Sequence, residues 1–199
     1  MFRFRRSSIV SAFGVLAVAL VASAGTLSVP GEPPVTFLAT GPLGFKIPGK
    51  IPGLKAADDG TNLKLTLPLT RVDTGLGLRD THCKNELFVV DKEEKDPERK
   101  KKFGQYPNRT ATLTVAKSAL QFPEAGKTVN GKVTGQLLMR EETKPVTITY
   151  TATRDGAGYK VDGSFVVDVE KWGMTAPEKF GVKVQKDVTV KASFKIEEK

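Results

Sequence analysis

The chain has 199 residues, of which 39% are hydrophobic and 27% are charged, and its 31 Lys and Arg residues outnumber its 22 Asp and Glu residues. This composition predicts one soluble globular domain with a true core, and it excludes a wholly disordered chain. Because the lysines recur along the sequence instead of forming a patch interleaved with aromatic residues, the net charge of +9 does not favour nucleic-acid binding. The charge is compatible with an anionic membrane surface or a phosphorylated lipid headgroup.

Residues 1–24 have the pattern of a secretory signal peptide. The basic start MFRFRR precedes an apolar run, Ile9–Val21, and the small residues Ala-Ser-Ala end at Ala24. We therefore predict cleavage between Ala24 and Gly25, export to the periplasm or out of the cell, and a flexible N-terminal segment over 25–34. An uncleaved membrane anchor is the weaker interpretation, since the apolar run falls short of the roughly 20 residues that a spanning helix needs.

From Val35 onward, hydrophobic and polar residues alternate with the period of a β-strand that has one buried face. Four leucines alternate with polar residues and one proline in Asn62–Thr70, and Tyr159–Val169 continues for eleven residues without a break. The longest run, Gly181–Ile196, has only Lys186 out of phase, which predicts a bulge or bend at that residue. Strands with one solvent-exposed and one buried face are typical of antiparallel sheets.

The number and length of these strands favour a barrel. About seven or eight strands can close as an up-and-down barrel or split into a sandwich. At ~3.3 Å per residue and a tilt near 40°, an eleven-residue strand gives a barrel roughly 28 Å high, which leaves room for one elongated ligand. The Asp-Gly turn in Arg154–Gly158 joins two such strands, and helices are scarce. We therefore predict an all-β, antiparallel β-barrel of about eight strands with few short helices over residues 35–199.

Four parts of the sequence resemble the YceI-like domain, in the order in which that family has them. They are Val72–Phe88, similar to the family's Thr-Gly and Arg-Asp-x-His segment; Gln105–Val115, similar to its Tyr-Pro and the strand that follows; Val133–Ile148, similar to its strand pair with Thr-Lys-Pro-Val; and Lys171–Pro177 with Gly181–Val190, similar to its closing segment. The resemblance covers about residues 35–197. It implies an exported, lipocalin-like barrel that binds polyisoprenoids or related lipids.

The sequence also departs from the family pattern. Arg140 and Glu141 stand where the family has His-Gly, and because they separate two predicted strands we expect a hairpin turn at this pair. Any role of the missing histidine does not transfer. Trp172 and Gly173 replace the usual Phe-Gly, and the charged run over residues 91–103 looks like an inserted, solvated loop.

The segment Asp73–Phe88 contains the only histidine and the only cysteine of the chain, His82 and Cys83. A metal site needs several converging ligands, and neighbours on a strand point in opposite directions, so neither a metal centre nor a Cys-His nucleophile is favoured. No G-x-S-x-G motif is present, and we predict neither catalysis nor a cofactor. The lone Cys83 has no partner for an internal disulfide, so it is buried, free or paired with another molecule.

Arg79, Asp80 and His82 allow two interpretations. They form a charge-assisted network that fastens a polar turn across one end of the barrel, or Arg79 or His82 faces the barrel opening and contacts a ligand headgroup.

These observations predict an exported lipid-binding protein, a monomer or homodimer in transient contact with a membrane surface, that holds a polyisoprenoid, quinone-like or fatty-acyl chain. The competing hypothesis is a ligand-free structural or adhesive domain that acts through its basic surface. Alternation does not separate residues that contact a ligand from those that pack as core, and Trp172 fits either as a cavity wall or as a plug. The predicted cavity lining is Phe37, Phe45, Leu65, Leu67, Leu113, Val115, Leu137, Ile148, Tyr150, Phe165, Val167, Trp172, Val184 and Val190.

Overall fold

The computed structural model of the protein describes residues 26–90, 97–98, 101, 109–174, 178–179 and 182–199. The predicted signal peptide with its cleavage point at Ala24 and Gly25 lies outside the described residues, as does most of the charged loop over 91–103. Export and the role of that loop therefore stay predictions. Within the described part of the chain, no helix combines the length and the apolar character needed to cross a membrane.

Antiparallel strands make up most of the described structure. They are β1 (Leu27–Ser28), β2 (Val35–Thr40), β3 (Lys46–Ile51), β4 (Lys55–Asp58), β5 (Asn62–Pro68), β6 (Thr110–Ala116), β7 (Thr128–Met139), β8 (Glu142–Asp155), β9 (Gly158–Asp168), β10 (Glu178–Lys179), β11 (Val182–Lys183) and β12 (Asp187–Glu198).

The long strands follow the alternation in the sequence. In β8, Val146, Ile148, Tyr150 and Ala152 are buried, whereas the threonines between them face outward or are half-buried. β9 and β12 repeat this arrangement and pair along most of their length. The break predicted at Lys186 is also present, because β11 ends at Lys183 and β12 begins only after a bend at Lys186.

One curled sheet contains nearly all of these strands. Nine of them follow the order β3-β2-β12-β9-β8-β7-β6-β5-β4, and β1 pairs with the far end of β12. At the edge strand β4, the Asp58 carboxylate accepts a hydrogen bond from the Leu27 amide of β1 at 2.8 Å, and in the connection between β3 and β4 the Leu54 amide donates to the Pro33 carbonyl at 3.2 Å. The sheet therefore wraps around its own buried face as a lipocalin-like half-barrel and not as a two-sheet sandwich, which confirms the predicted fold class.

Two hairpin turns confirm the turn predictions. Arg140 and Glu141 form the two-residue turn between β7 and β8, with φ values of 49° and 61°, as a type I′ turn requires. Gly156, with φ 59°, lies in the turn between β8 and β9.

The two ends of the barrel differ. The upper end is the one that carries the turn between β2 and β3, the segment 69–90 and the turn at Arg140; the lower end carries the turns at Gly60 and Gly156. At the upper end, a short helix α1 (Gly77–His82) continues into a π-helical turn, Cys83–Leu87. His82 and Cys83 are thus helical, which corrects the expectation that they alternate along a strand.

Candidate functional site

The inner face of the curled sheet encloses a cavity of about 530 Å³. This volume falls within the roughly 300–1,000 Å³ that small-molecule sites occupy. The walls are almost entirely aliphatic and aromatic, because the inward positions of the strands carry the hydrophobic half of each alternating pattern. Of the predicted lining residues, those that border this cavity are Phe37, Leu65, Leu67, Leu113, Leu137, Phe165, Val167, Val184 and Val190.

A smaller cavity of about 100 Å³ lies toward the lower end. Val115, Ile148 and Tyr150, also predicted as lining, border this second space. Four residues border both cavities, and we call them the partition: Leu65, Leu113, Phe165 and Ala192.

The lower end of the smaller cavity is covered by Leu120, Gln121 and Phe122. The Gln121 amide donates to the Tyr150 hydroxyl at 2.8 Å, and the Phe122 ring lies 5.2 Å from that of Tyr159. Tyr150 therefore has two roles, since its ring forms part of the wall and its hydroxyl holds the covering segment in place.

Two predicted lining residues lie elsewhere. Phe45 is 63% exposed, because it follows the turn between β2 and β3 and stands beyond the end of the barrel wall. Trp172 is buried in the core without bordering either cavity, and its indole nitrogen donates to the Glu142 carbonyl at 3.0 Å. Trp172 therefore packs in the core and borders neither cavity, and its role as a plug stays a prediction.

Several lining residues could not be found from alternation. Leu87, Phe88 and Met174 border the larger cavity from segments that are not strands. They reach the cavity because the chain folds over the upper end of the barrel, and periodicity within a strand carries no information about that crossing.

The only polar part of the larger cavity is at the upper end, among the described residues. Thr74, Arg79, His82 and Gln185 border the cavity there. The Asp80 carboxylate is hydrogen-bonded to Thr74. It accepts one hydrogen bond from the Thr74 amide at 2.7 Å and another from the Thr74 hydroxyl at 2.6 Å. Within the described part of the chain, Arg79 and His82 have neither a hydrogen bond nor an ion pair through their side chains, so the geometry supports the second interpretation of this group, in which they face the opening.

Cys83 borders the same end of the cavity, and its thiol has low reactivity. Burial, and then the negative charge of Asp80, raise the pKa of its thiol to about 11. A protonated thiol is a poor nucleophile and a poor metal ligand. In the described ranges, no three His, Cys, Asp or Glu side chains converge as a metal site would require.

The YceI-like domain family matches residues 43–196. This chain belongs to the YceI-like family. Solved structures agree in fold: a polyisoprenoid-binding domain from Saccharophagus degradans implicated in plant cell wall breakdown has a TM-score of 0.66 at 13% identity, covering 88% of this chain and 99% of that one. BcnA of Burkholderia cenocepacia has a TM-score of 0.57 at 16% identity, and the match covers 81% of this chain and 94% of BcnA. No curated protein sequence matches.

In this YceI-like chain, the family match begins after β2 and ends near the last residues of β12. The match therefore includes the partition and the polar end of the cavity. β2, which precedes it, adds Val35, Phe37 and Ala39 to the cavity wall.

Proposed function

We propose that this protein binds one amphipathic isoprenoid, quinone-like or fatty-acyl molecule, with the chain in the barrel and the polar group at the upper end. The observation that carries the proposal is the cavity of about 530 Å³, which is apolar except where Arg79 and His82 border it. The polyisoprenoid-binding domain from Saccharophagus degradans shares the fold and supports this class of ligand.

Apolar contact is strong enough to hold such a chain. Burying one methylene group is worth about 0.8 kcal/mol, so a five-carbon isoprene unit contributes about 4 kcal/mol before the entropic costs of binding. A ligand that buries several units therefore needs no covalent attachment. The alternative, a ligand-free structural domain acting through its basic surface, is less well supported because it assigns no role to a large apolar space.

Arg79 suits a negatively charged or polar headgroup. The guanidinium is always charged, has several donors in a fixed plane, and meets phosphates and carboxylates in a bidentate geometry. At the same end of the cavity, Gln185 adds a neutral donor and acceptor, and the Thr74 hydroxyl, which donates to Asp80, can still accept a hydrogen bond. Binding, and not catalysis, is the activity that we propose, and the raised pKa of the Cys83 thiol agrees with this because it makes that group a poor nucleophile.

We also propose that the protein acts outside the cytoplasm, since residues 1–24 have the pattern of a cleaved signal peptide. N-terminal sequencing of the protein recovered from its host tests this. A mature chain that begins at Gly25 supports the proposal, and a chain that retains residues 1–24 overturns it.

Native mass spectrometry of the protein purified from its own host tests the binding proposal. We expect an apolar adduct that extraction with organic solvent removes. Phe165→Asp places a charge in the partition and should abolish the adduct, whereas the matched control Val166→Asp should keep it, because Val166 is the next residue along β9 and is 56% exposed on the outer face. Equal adducts in both variants, or none in the wild type, would overturn the proposal.

A further inference from the structure

Four large apolar side chains are exposed at the upper end of the barrel. Leu43 and Phe45 are 108% and 63% exposed, and Leu76 and Leu78 are 56% and 75% exposed. We call these four residues the apolar rim. Such residues are costly to leave in water, and a group of them around one opening marks a contact surface.

The apolar rim adjoins the polar end of the larger cavity through the neighbours of its residues in the chain. Leu43 and Phe45 lie between Ala39 and Ile47, which both border the cavity, and the adjoining Thr40 carbonyl accepts a hydrogen bond from the Gln185 amide at 2.8 Å. Gln185 itself borders the cavity.

The other two residues of the apolar rim, Leu76 and Leu78, lie at the start of α1. The next residue along the helix is Arg79, which borders the cavity. The exposed side chains therefore belong to the same two segments that frame the polar end of the site.

The backbone presents Leu43 in an unfavourable conformation. Its φ of 53° lies in the left-handed region, which costs a leucine about 1 kcal/mol or more and which glycine or asparagine adopts with less strain. The turn is held by hydrogen bonds from the Gly41 amide to the Phe45 carbonyl at 2.6 Å and from the Phe45 amide to the Pro42 carbonyl at 3.0 Å. The fold thus holds a fully exposed leucine at the tip of a fixed turn.

The charge at this end is complementary to an anionic surface. Lys46 follows Phe45 and its ammonium group donates to the Thr40 hydroxyl at 3.1 Å. Lys46, Arg79 and Lys171 make no ion pair within the described ranges, and all three lie at the upper end. Anionic lipid headgroups attract such basic groups, each worth about 1 kcal/mol near the surface.

We propose that the upper end docks on a lipid bilayer containing anionic lipids, with the apolar rim inserted among the headgroups and the basic residues beside them. In this orientation the cavity opens toward the acyl chains. A hydrophobic ligand then enters or leaves the barrel without crossing water, which is the step that limits the transfer of long apolar chains. The docking itself does not depend on the proposed cargo, because the empty protein has the same surface.

Flotation with phosphatidylcholine vesicles, with and without phosphatidylglycerol, tests the docking. We expect the wild type to bind vesicles that contain phosphatidylglycerol and to be released by salt. The pairs Leu43→Asn with Phe45→Ser, and Leu76→Ser with Leu78→Ser, should each weaken binding by about tenfold or more, since each removes two inserted side chains. Asparagine at position 43 relieves backbone strain, so a loss there cannot come from a weakened turn.

The matched control is Leu138→Ser with Val166→Ser, which removes two apolar side chains exposed on the barrel wall, 41% and 56% exposed, and should leave vesicle binding unchanged. Equal binding by rim and control variants, or no vesicle binding by the wild type, would overturn the proposal. Loading with a prenol delivered from cyclodextrin is measured in parallel and should be normal in the rim variants. Vesicle binding without any loading would refute the proposed cargo and leave the docking intact.

Discussion

The Asp58 carboxylate in β4 accepts a hydrogen bond from the Leu27 amide in β1, over 2.8 Å and across the seam of the curled sheet. The same carboxylate pairs with the Lys117 ammonium group at 2.7 Å, and the Asp58 side chain is only 1% exposed. The buried carboxylate with these partners ties the edge strand β4 to β1, which pairs with the last residues of β12, and so it contributes to the seam at the lower end.

Asp58→Asn should lower the free energy of unfolding by about 2 kcal/mol, because it removes the charge from a buried carboxylate that accepts hydrogen bonds from the Leu27 amide and from the half-buried Lys117 ammonium group. Urea denaturation monitored by circular dichroism measures the loss. The control is Asp162→Asn, which makes the same change at an exposed carboxylate on β9 and should change the free energy of unfolding little. A similar small change in both variants would show that the seam does not depend on Asp58.

The effect of Asp58 should also depend on pH. Burial raises the pKa of its carboxyl group, but the hydrogen bond from Lys117 and those from the Leu27 and Gly60 amides outweigh burial and hold the pKa below the ordinary value of 3.8. The stabilisation is therefore complete above that value and is lost as the pH falls through the lower, folded pKa. The stability difference between wild type and Asp58→Asn should shrink in the acid range, and a constant difference down to strong acid would contradict this.

Phe165 in the partition should limit how long a bound chain can be. Phe165→Ala removes an aromatic side chain that borders both cavities and should shift binding toward longer prenols. Ala192→Leu adds a larger side chain to the partition and should shift binding toward shorter prenols. Competition among prenols of several lengths, read by native mass spectrometry, measures the preference. The same preferred length in both variants would show that the partition is not a boundary for the ligand.

Gly49 leaves room for the ring of its cross-strand partner Phe37. A Cβ atom at position 49 would overlap that ring, so Gly49→Val should push Phe37 into the larger cavity and reduce ligand loading. The second change Phe37→Ala should restore loading in the double variant. Gly77→Ala, where an added Cβ meets nothing within 4 Å, is the control. Normal loading in Gly49→Val would mean that the ring moves outward instead.

Cys83 should react slowly with alkylating reagents at neutral pH. Because the pKa of Cys83 is raised to about 11, its rate of alkylation by iodoacetamide in the native protein should still rise by about tenfold per pH unit around pH 9 to 10. In the protein unfolded in urea, the alkylation rate should level off above the ordinary thiol pKa of 9.0. A native rate that levels off at the same pH as the unfolded protein would show that the thiol is not shielded.

The strands could be predicted from the sequence because each one carries its own signal. Alternation in β8 and β9 selects one face for burial, and the turn residues at Arg140 and Gly156 set where the chain reverses. The lining residues on those strands follow from the same pattern. By contrast, Phe45 was predicted as a lining residue but is exposed, because the pattern of a strand does not show where the barrel wall ends.

Amino-acid order alone determined the antiparallel strands, their buried faces and the resemblance to the YceI-like family, since these depend on neighbouring residues and on local motifs. Tertiary structure decided which inward residues border open space, that Trp172 packs in the core, and that Asp80 bonds to Thr74 while Arg79 and His82 border the cavity. The reason is physical: a cavity, a seam and a rim form where distant segments meet, and their positions depend on how the sheet curls.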